Sequence, residues 1–469
     1  MPKEEEEEEE EEKFAAADND KNSAGAAFLR DSRQSIQFSD FVKYMSNTDA
    51  ADVDEGVTYE QAKEGREPLL KILEKDLGLA KLTTSELLQL PKWSEIQDLY
   101  GDKPIIQGLD FCLKYQMKVP MSDRYIGVAG SFNTGTTAFG LSLQQNCRFP
   151  NRRRSSKTTT TAIANDKQAR NGGGAVVTNV HGMLNQVPWA KHKMAYERFG
   201  HTIDDSIPKE NVLPVVLVRD PYYWMQSMCK QGYGVRWDHK TNKHCPNLVP
   251  NDFDLKRFPK RYATTNSTNT TNTASVPVWM GQSYQSGPHW DSLVHYWNDW
   301  YGSYYYKNDA KSSGNAATTT GKKPKEEEEE EKEFPRLMIR FEDTLFHAKT
   351  VMKLVCACGG GIFSGNEEEE EEGEVNFGFT MNANENAKQQ QQRQEEQQQQ
   401  QRGGSAFRPI LDEAKFEHKH IQNNLVSAIV KYGSDKTRYR NMTKEDLDFA
   451  ESFLDPELMK AFRYKSFKE

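Results

Sequence analysis

A short apolar segment that runs directly into a glycine-rich turn constrains the fold of this chain more than any other feature. Tyr125–Ala129 has the apolar and β-branched residues of a buried strand. It leads into Gly130–Thr137, and Thr137–Cys147 follows with helical composition. Strand, glycine turn and helix in this order can bind an anion, because backbone N–H groups and the positive end of the helix converge there.

Further apolar segments predict the rest of a sheet. Strands are expected at four of them: Ala175–Val180, Gln186–Lys191, Val212–Val218 and Arg336–Arg340. Pro221 stands at an early helical position after the third of these strands, and the aromatic-rich segment His289–Tyr306 has a helical pattern. Apolar strands that alternate with helices predict an α/β fold, with a central parallel sheet flanked by helices.

Low-complexity stretches divide the 469 residues. Such stretches bury too little apolar surface to offset the entropy of ordering them. We expect a disordered acidic tail over residues 1–60, a helical region over 61–120 and an α/β domain over 121–469. Low-complexity insertions are expected near 151–174, 262–275, 307–333 and 365–405. Glutamate runs account for the net charge of -9, so the rest of the chain is basic, as suits a polyanionic ligand.

The glycine turn is the first candidate anion site. Gly130 and Gly135 have the spacing of a nucleoside-triphosphate loop, but Thr136 stands where such loops carry a lysine. This replacement disfavours a kinase or NTPase, and two threonine hydroxyls suit a single terminal phosphate. A plain glycine turn between a strand and a helix is the alternative interpretation.

Arg219 and Ser227 form the second candidate site. Arg219 ends the Val212–Val218 strand, and Ser227 lies eight residues later on the following helix. An arginine at a strand end can chelate a phosphate with two parallel hydrogen bonds. The alternative is that Arg219 pairs with Asp220 or with another carboxylate.

Taken in this order, the two motifs resemble those of the sulfotransferase family. Asn133-Thr134-Gly135-Thr136-Thr137 is similar to the turn that binds the 5′-phosphate, and Arg219-Asp220-Pro221 through Ser227 is similar to the 3′-phosphate motif. Two further segments look like a strand end and a closing segment of the family: Arg340-Phe341-Glu342-Asp343 and Tyr439-Arg440-Asn441-Met442-Thr443 to Phe449.

The resemblance implies in-line transfer of a sulfuryl group from 3′-phosphoadenosine 5′-phosphosulfate (PAPS) to a hydroxyl or amine, without a metal. A carbohydrate is one candidate acceptor. The donor would be held by the residues of both motifs: Gly130, Asn133, Thr134, Gly135, Thr136, Thr137, Arg219 and Ser227. The family usually has a histidine or glutamate as general base. His192 is the candidate here, and His181 is the alternative.

Two positions depart from the family pattern. Asn133 replaces the lysine that stabilises the bridging oxygen, and Ala138 replaces the tryptophan that stacks on adenine. Lys191 or Lys193, the nearest cations in chain order, could compensate for the missing lysine. Without compensation the chain would be a non-catalytic nucleotide-binding homologue. A P-loop kinase or NTPase is a further alternative. Nucleic acid is not an expected partner, since the basic stretch Arg152–Lys157 lacks interleaved aromatic residues.

The tryptophans allow two interpretations. They cluster in Trp290–Tyr306 and recur at Trp189, Trp224, Trp237 and Trp279. Exposed aromatic rings could stack on a sugar, whereas buried ones would only fill the core.

Six cysteines do not predict a disulfide framework in so long a chain. We expect mainly buried free thiols, although Cys229 and Cys245 are close enough in sequence to form one bridge. Cys356 and Cys358 lack a partner pair with zinc-finger spacing.

The compartment is left open by the sequence. No apolar run approaches the roughly 20 residues that span a bilayer, and the acidic Met1–Lys13 has no apolar signal region. These features predict a soluble, cytoplasmic protein, or a Golgi-lumenal one if the N-terminus is incomplete. Asn266, Asn269 and Asn441 each begin a glycosylation sequon.

Overall fold

The computed structural model describes residues 57–76, 82–150, 177–239, 244–259, 262, 275–281, 287–306, 334–364 and 428–468. Residues 1–56 of the expected tail and the four expected insertions lie outside these ranges, apart from residues 262 and 275. The disorder expected there stays a prediction.

Helices and short strands alternate along the described ranges. The helices are α1 Tyr59–Lys63, α2 Glu67–Leu70, α3 Thr84–Gln89, α4 Trp93–Tyr100, α5 Phe111–Lys118, α6 Thr136–Asn146, α7 Pro221–Lys230, α8 Asp252–Arg257, α9 Leu293–Tyr305, α10 Asp343–Phe346, α11 Ala348–Gly359, α12 Asp435–Arg438, α13 Lys444–Phe453 and α14 Pro456–Ala461. The strands are β1 Ile106–Gln107, β2 Tyr125–Gly130, β3 Cys147–Arg148, β4 Asn179–Val180, β5 Met183–Leu184, β6 Val212–Val218, β7 Val235–Arg236, β8 Val278–Met280, β9 His289–Trp290, β10 Leu337–Arg340 and β11 Ile362–Phe363.

A six-stranded, mostly parallel sheet organises the fold, in the order β1-β10-β6-β2-β5-β4. The four central strands are parallel, and the two edge strands β1 and β4 are antiparallel to their neighbours. Gly130 pairs with Leu217, and Arg340 pairs with Val218. The carboxyl ends of β2, β6 and β10 therefore meet at one edge, where ligands of open α/β sheets bind.

The central strand β6 explains why the sheet lies inside the protein. All seven of its residues are buried. Leu213, Val215 and Leu217 belong to a core cluster that includes side chains of α5, α6 and α11. Since side chains alternate along a strand, Val212 and Val216 face the opposite side, and they are buried as well. A strand buried on both faces explains the continuous apolar run in the sequence.

Several element boundaries differ from those predicted. Strand β4 covers only the last two residues of one predicted strand, and β5 precedes the predicted strand Gln186–Lys191, which does not form. Pro188 cannot donate to a strand ladder, and Ala190 has a left-handed φ of 76°. The expected helical region over 61–120 also contributes β1 to the sheet.

The aromatic segment His289–Tyr306 belongs mainly to the core. It begins as strand β9, and Ser292 then caps helix α9, whose Trp297 and Trp300 are completely buried. Four of the five tryptophans outside this segment are buried as well: Trp189, Trp224, Trp237 and Trp279. The core interpretation is therefore the one that the structure supports for these rings.

All six cysteines form disulfide bonds, so the expectation of mainly free thiols was wrong. The expected pair Cys229–Cys245 is present, and two bridges attach helix α11 to distant parts of the chain: Cys112–Cys358 and Cys147–Cys356. Because the paired cysteines are 246 and 209 residues apart in the sequence, their spacing does not indicate that they pair. Among the helices of the described ranges, none has the length and apolar character needed to cross a bilayer.

Candidate anion-binding site

The glycine loop connects the carboxyl end of β2 to the first turn of α6. Gly130 ends β2, and Gly135 precedes α6 with a left-handed φ of 77°. A Cβ atom on Gly135 would lie 2.5 Å from the Phe341 ring, and one on Gly130 would lie 2.5 Å from Thr134 Oγ1. Gly135 is thus required by its contacts as well as by its backbone conformation, and Gly130 by its contacts.

The polar side chains of the loop make different contacts. Thr134 Oγ1 donates to the Ser131 carbonyl at 2.7 Å and is buried, so its hydroxyl closes the turn. Thr136 is buried at the start of α6, whereas Thr137 is exposed. The Asn133 amide donates to the Gln231 carbonyl at 2.6 Å, at the end of α7. The Asn133 side chain therefore positions the loop and does not replace the family's lysine.

Lys191 brings a positive charge to the loop. Its Nζ donates to Thr137 Oγ1 at 2.8 Å, and its carbonyl accepts from the Gly130 N–H at 2.8 Å. Burial lowers the pKa of Lys191. Lys193 instead pairs with Glu197 at 2.7 Å. Of the two lysines considered from the sequence, Lys191 is therefore the one in contact with the loop.

Arg219 meets the same loop from the end of β6. Its Nη1 donates to the Asn133 carbonyl, and its guanidinium lies 5.2 Å from the Phe341 ring centre and 4.9 Å from that of Tyr432. Burial lowers the pKa of Arg219, and the nearby Glu342 carboxyl opposes that shift. Arg219 Nε is buried and makes no hydrogen bond to the described residues.

The carboxylates near Arg219 have other partners. Asp220 forms a buried ion pair with Arg438 at 2.8 Å and caps α7. Glu342 accepts hydrogen bonds from the Asp220 N–H at 3.2 Å and from the Tyr464 hydroxyl at 3.0 Å. Burial, reinforced by Asp220, raises the pKa of Glu342 to about 7. Asp220 is thus paired with Arg438, and the alternative in which it pairs with Arg219 does not hold.

Lys431 is a second basic residue near Arg219, and it was not among the site residues predicted from the sequence. Its Nζ lies 5.2 Å from the Tyr432 ring centre and 5.9 Å from that of Tyr223. Burial lowers the pKa of Lys431 to about 6, and the positive charges of Arg219 and Lys230 contribute to the shift. The charges of Arg219 and Lys230 thus both act on Lys431, and a bound anion would oppose their effect. A lone lysine after a long low-complexity stretch gave no signal in the sequence.

Ser227 lies on α7 and bonds within its own helix. Its hydroxyl donates to the Tyr223 carbonyl at 3.0 Å. The next residue, Met228, places its sulfur 3.1 Å from the Asn133 amide nitrogen. Ser227 is therefore beside the loop in the fold, although its hydroxyl makes an internal hydrogen bond.

The two candidate bases lie at opposite ends of β2. His192 Nδ1 is 2.7 Å from the Gly130 carbonyl, which can only accept, so Nδ1 carries the proton and Nε2 the lone pair. Burial lowers the pKa of His192 to about 4. His181 lies beside the start of β2, since the Ile126 N–H donates to the carbonyl of the adjacent Gly182. The structure thus brings His192 to the loop and leaves His181 away from it.

The closing segment, which begins at Tyr439, packs against the start of helix α7. Its first residue, Tyr439, makes an edge contact at 5.0 Å with the Tyr222 ring. Arg438, immediately before the segment, donates to Asp220 and to the Lys465 carbonyl. Arg340 and Asp343 form a fully buried ion pair at 2.7 Å, which fixes the end of β10 beside the site. Both segments singled out in the sequence therefore support the elements that carry Arg219 and the loop.

Comparisons with known proteins return no match to any family model, curated protein or solved structure. Within the described ranges, no group of three or more histidine, cysteine, aspartate or glutamate side chains could hold a metal ion.

Proposed function

We propose that this chain transfers a sulfuryl group from PAPS to a hydroxyl or amine acceptor. The observation that carries the proposal is the hydrogen bond from Arg219 to the Asn133 carbonyl. This bond joins the strand-end arginine to the glycine loop, so the two candidate anion-binding elements are adjacent and could serve one ligand. A nucleotide with phosphates at both the 3′ and 5′ positions matches two such elements.

The cations divide into two groups that suit the two ends of such a donor. Lys191 contacts Thr137 at the start of α6, where the 5′-phosphosulfate would also meet the backbone N–H groups and the helix dipole. Its ammonium would supply the charge that Asn133 lacks and would stabilise the developing negative charge on the leaving phosphate. Arg219 and Lys431 would hold the 3′-phosphate, with the Arg219 guanidinium as one donor.

His192 fits the task of general base. Its Nε2 carries the lone pair, and its pKa of about 4 keeps the ring neutral at physiological pH. In the proposed step, His192 Nε2 takes the proton of the acceptor hydroxyl while the hydroxyl oxygen forms a bond to the sulfur of PAPS. The bond between sulfur and the 5′-phosphate oxygen breaks, and adenosine 3′,5′-bisphosphate leaves with that electron pair.

An aromatic stack beside His192 favours a ring-shaped acceptor. The Phe132 ring centre lies 4.4 Å from that of His192 and 5.5 Å from that of Tyr233. Tyr233 is 59% exposed, so one face of the stack can receive the apolar face of a sugar. This exposed ring supports a carbohydrate acceptor better than the buried tryptophans do.

Ligand-induced thermal stabilisation tests the binding half of the proposal. Adenosine 3′,5′-bisphosphate at about 100 times its Kd should stabilise the folded protein by about 2.7 kcal/mol. ATP with Mg²⁺, ADP and AMP should do less. Arg219→Lys keeps the charge but loses the planar fork, so it should lose most of the effect. The exposed Arg236 offers a matched control, and Arg236→Lys should behave as wild type.

Thermal stabilisation followed by a transfer assay separates the alternatives. A preference for Mg-ATP would favour a P-loop kinase or NTPase and would overturn the proposal. Bisphosphate binding followed by transfer of labelled sulfate from PAPS to a panel of saccharides would support an enzyme. Bisphosphate binding without transfer to any hydroxyl or amine acceptor would favour the non-catalytic homologue, which the structural use of the Asn133 amide also allows.

A further inference from the structure

The complete pairing of the cysteines indicates the environment in which this chain folds. Its three disulfides have Cα–Cα distances of 4.7, 5.8 and 5.8 Å, within the range that unstrained bridges adopt. Two of them join α11 to segments more than 200 residues away. Stable bridges of this kind persist in oxidising compartments and are rare in a reducing cytosol. This observation is independent of the proposed activity.

Asn441 lies where an attached glycan would be tolerated. It follows α12 and precedes α13, it is exposed, and it has a left-handed φ of 66°. Its side-chain amide makes no hydrogen bond to the residues that the structure describes. Two residues later, Thr443 caps α13 by accepting from the Asp446 N–H at 3.2 Å. The sequon Asn441-Met442-Thr443 is thus presented at a surface turn.

We propose that Asn441 is an N-glycosylation site and that the chain matures in an oxidising secretory lumen. In the modification, Asn441 Nδ2 forms a bond to the anomeric carbon of a lipid-diphosphate-linked oligosaccharide. The bond from that carbon to the phosphate oxygen breaks, and the amide proton leaves with the lipid diphosphate. Each disulfide forms as two thiols lose two protons and two electrons to a disulfide oxidant of the same compartment.

A glycan at this position is compatible with an intact anion site. The Arg438 side chain, three residues earlier, points inward to Asp220, while the Asn441 side chain is on the surface. The folded positions therefore separate the modified amide from the buried ion pair. We expect the glycosylated protein to bind whatever anion the unmodified protein binds, with the same affinity within about twofold.

The test uses the full chain isolated from its own cells and alkylated without prior reduction. Peptide mapping before and after peptide-N-glycosidase treatment reports the occupancy of Asn441, because enzymatic release of the glycan leaves aspartate at that position. We expect an occupied Asn441 and no alkylated cysteine. An unmodified Asn441 would overturn the proposal, whatever the state of the cysteines. Mapping by peptide is needed because Asn266 and Asn269, outside the described residues, also begin sequons.

Two variants separate loss of the glycan from loss of the fold. Asn441→Gly removes the acceptor amide and suits the left-handed backbone, whereas Thr443→Ser keeps both the sequon and a capping hydroxyl. In a secreting host, Asn441→Gly should lose the glycopeptide and keep the Tm of the deglycosylated wild type. Thr443→Ser should keep the glycopeptide. If the wild type, like Asn441→Gly, yielded no glycopeptide at this sequon, the proposal would be contradicted.

Discussion

Lys431 is expected to change its protonation state when a phosphate binds. In the free protein, burial and the neighbouring cations Arg219 and Lys230 lower its pKa to about 6. A bound dianion would favour the charged ammonium and raise the pKa towards the ordinary value of about 10.4. At pH 8 the free lysine is mostly neutral, so binding of the bisphosphate must be accompanied by uptake of a proton.

The size of the effect follows from the difference between the pKa of Lys431 in the free protein and its pKa in the complex. Because the pKa is raised in the complex, the contribution of Lys431 to affinity is complete below about pH 6 and declines as the pH rises. The loss is about tenfold per pH unit, which at pH 8 amounts to up to about 2.7 kcal/mol. The phosphates of the ligand titrate near pH 6 and act in the opposite direction.

Isothermal titration calorimetry in two buffers with different ionisation enthalpies measures this proton uptake. Wild type should take up close to one proton per bisphosphate at pH 8. Lys431→Arg stays charged at every working pH, so it should take up none and should bind more tightly than wild type at pH 8. The ligand titrates equally in both proteins, so their difference isolates Lys431. Identical proton uptake by the two proteins would show that Lys431 does not gain a proton when the bisphosphate binds.

Four further substitutions test other parts of the site. Gly135→Ala should lower the free energy of unfolding in urea by about 2–4 kcal/mol, since it adds strain and a ring clash; an unchanged midpoint would contradict this account. Lys191→Met should slow sulfate transfer by about 100-fold, and Lys193→Met should not; equal losses would remove Lys191 from the mechanism. His192→Asn should reduce the rate of sulfate transfer by about 10²–10⁴-fold. Because the pKa of His192 is about 4, the wild-type rate should show no change between pH 5 and 8 that reflects titration of this histidine. Arg438→Met should cost about 3–5 kcal/mol in thermal or urea unfolding, because it leaves a buried carboxylate unpaired; a loss below about 1 kcal/mol would be inconsistent with that burial.

The sequence predicted the elements whose signals are local. Strands β2, β6 and β10 lie within one residue of their expected bounds, because each is a continuous apolar run between turn residues. The glycine loop between β2 and α6 followed from two glycines and the helical pattern behind them. Lys191 was a candidate only because it is near in chain order, and the contact with Thr137 needed the structure.

The elements missed are those determined by partners distant in sequence. The pairing of Cys112 with Cys358 depends on how α5 packs against α11, which no local pattern encodes. Lys431 approaches Arg219 across more than 200 residues of chain. The strands β1 and β5 have two residues each, too few for a periodic pattern, so they form only because a neighbouring strand offers hydrogen bonds.

The two bridges on α11 also determine the covalent topology of the protein. Together they enclose residues 112–147 in a ring that closes through residues 356–358, about 40 residues around, on the scale at which a crosslink removes substantial chain entropy. The ring contains the whole glycine loop and α6. All four low-complexity stretches expected from the composition lie outside it. Insertions at those points lengthen the chain without enlarging the ring, so the glycine loop and α6 would stay tethered to α11 even in a chain cleaved at any of them.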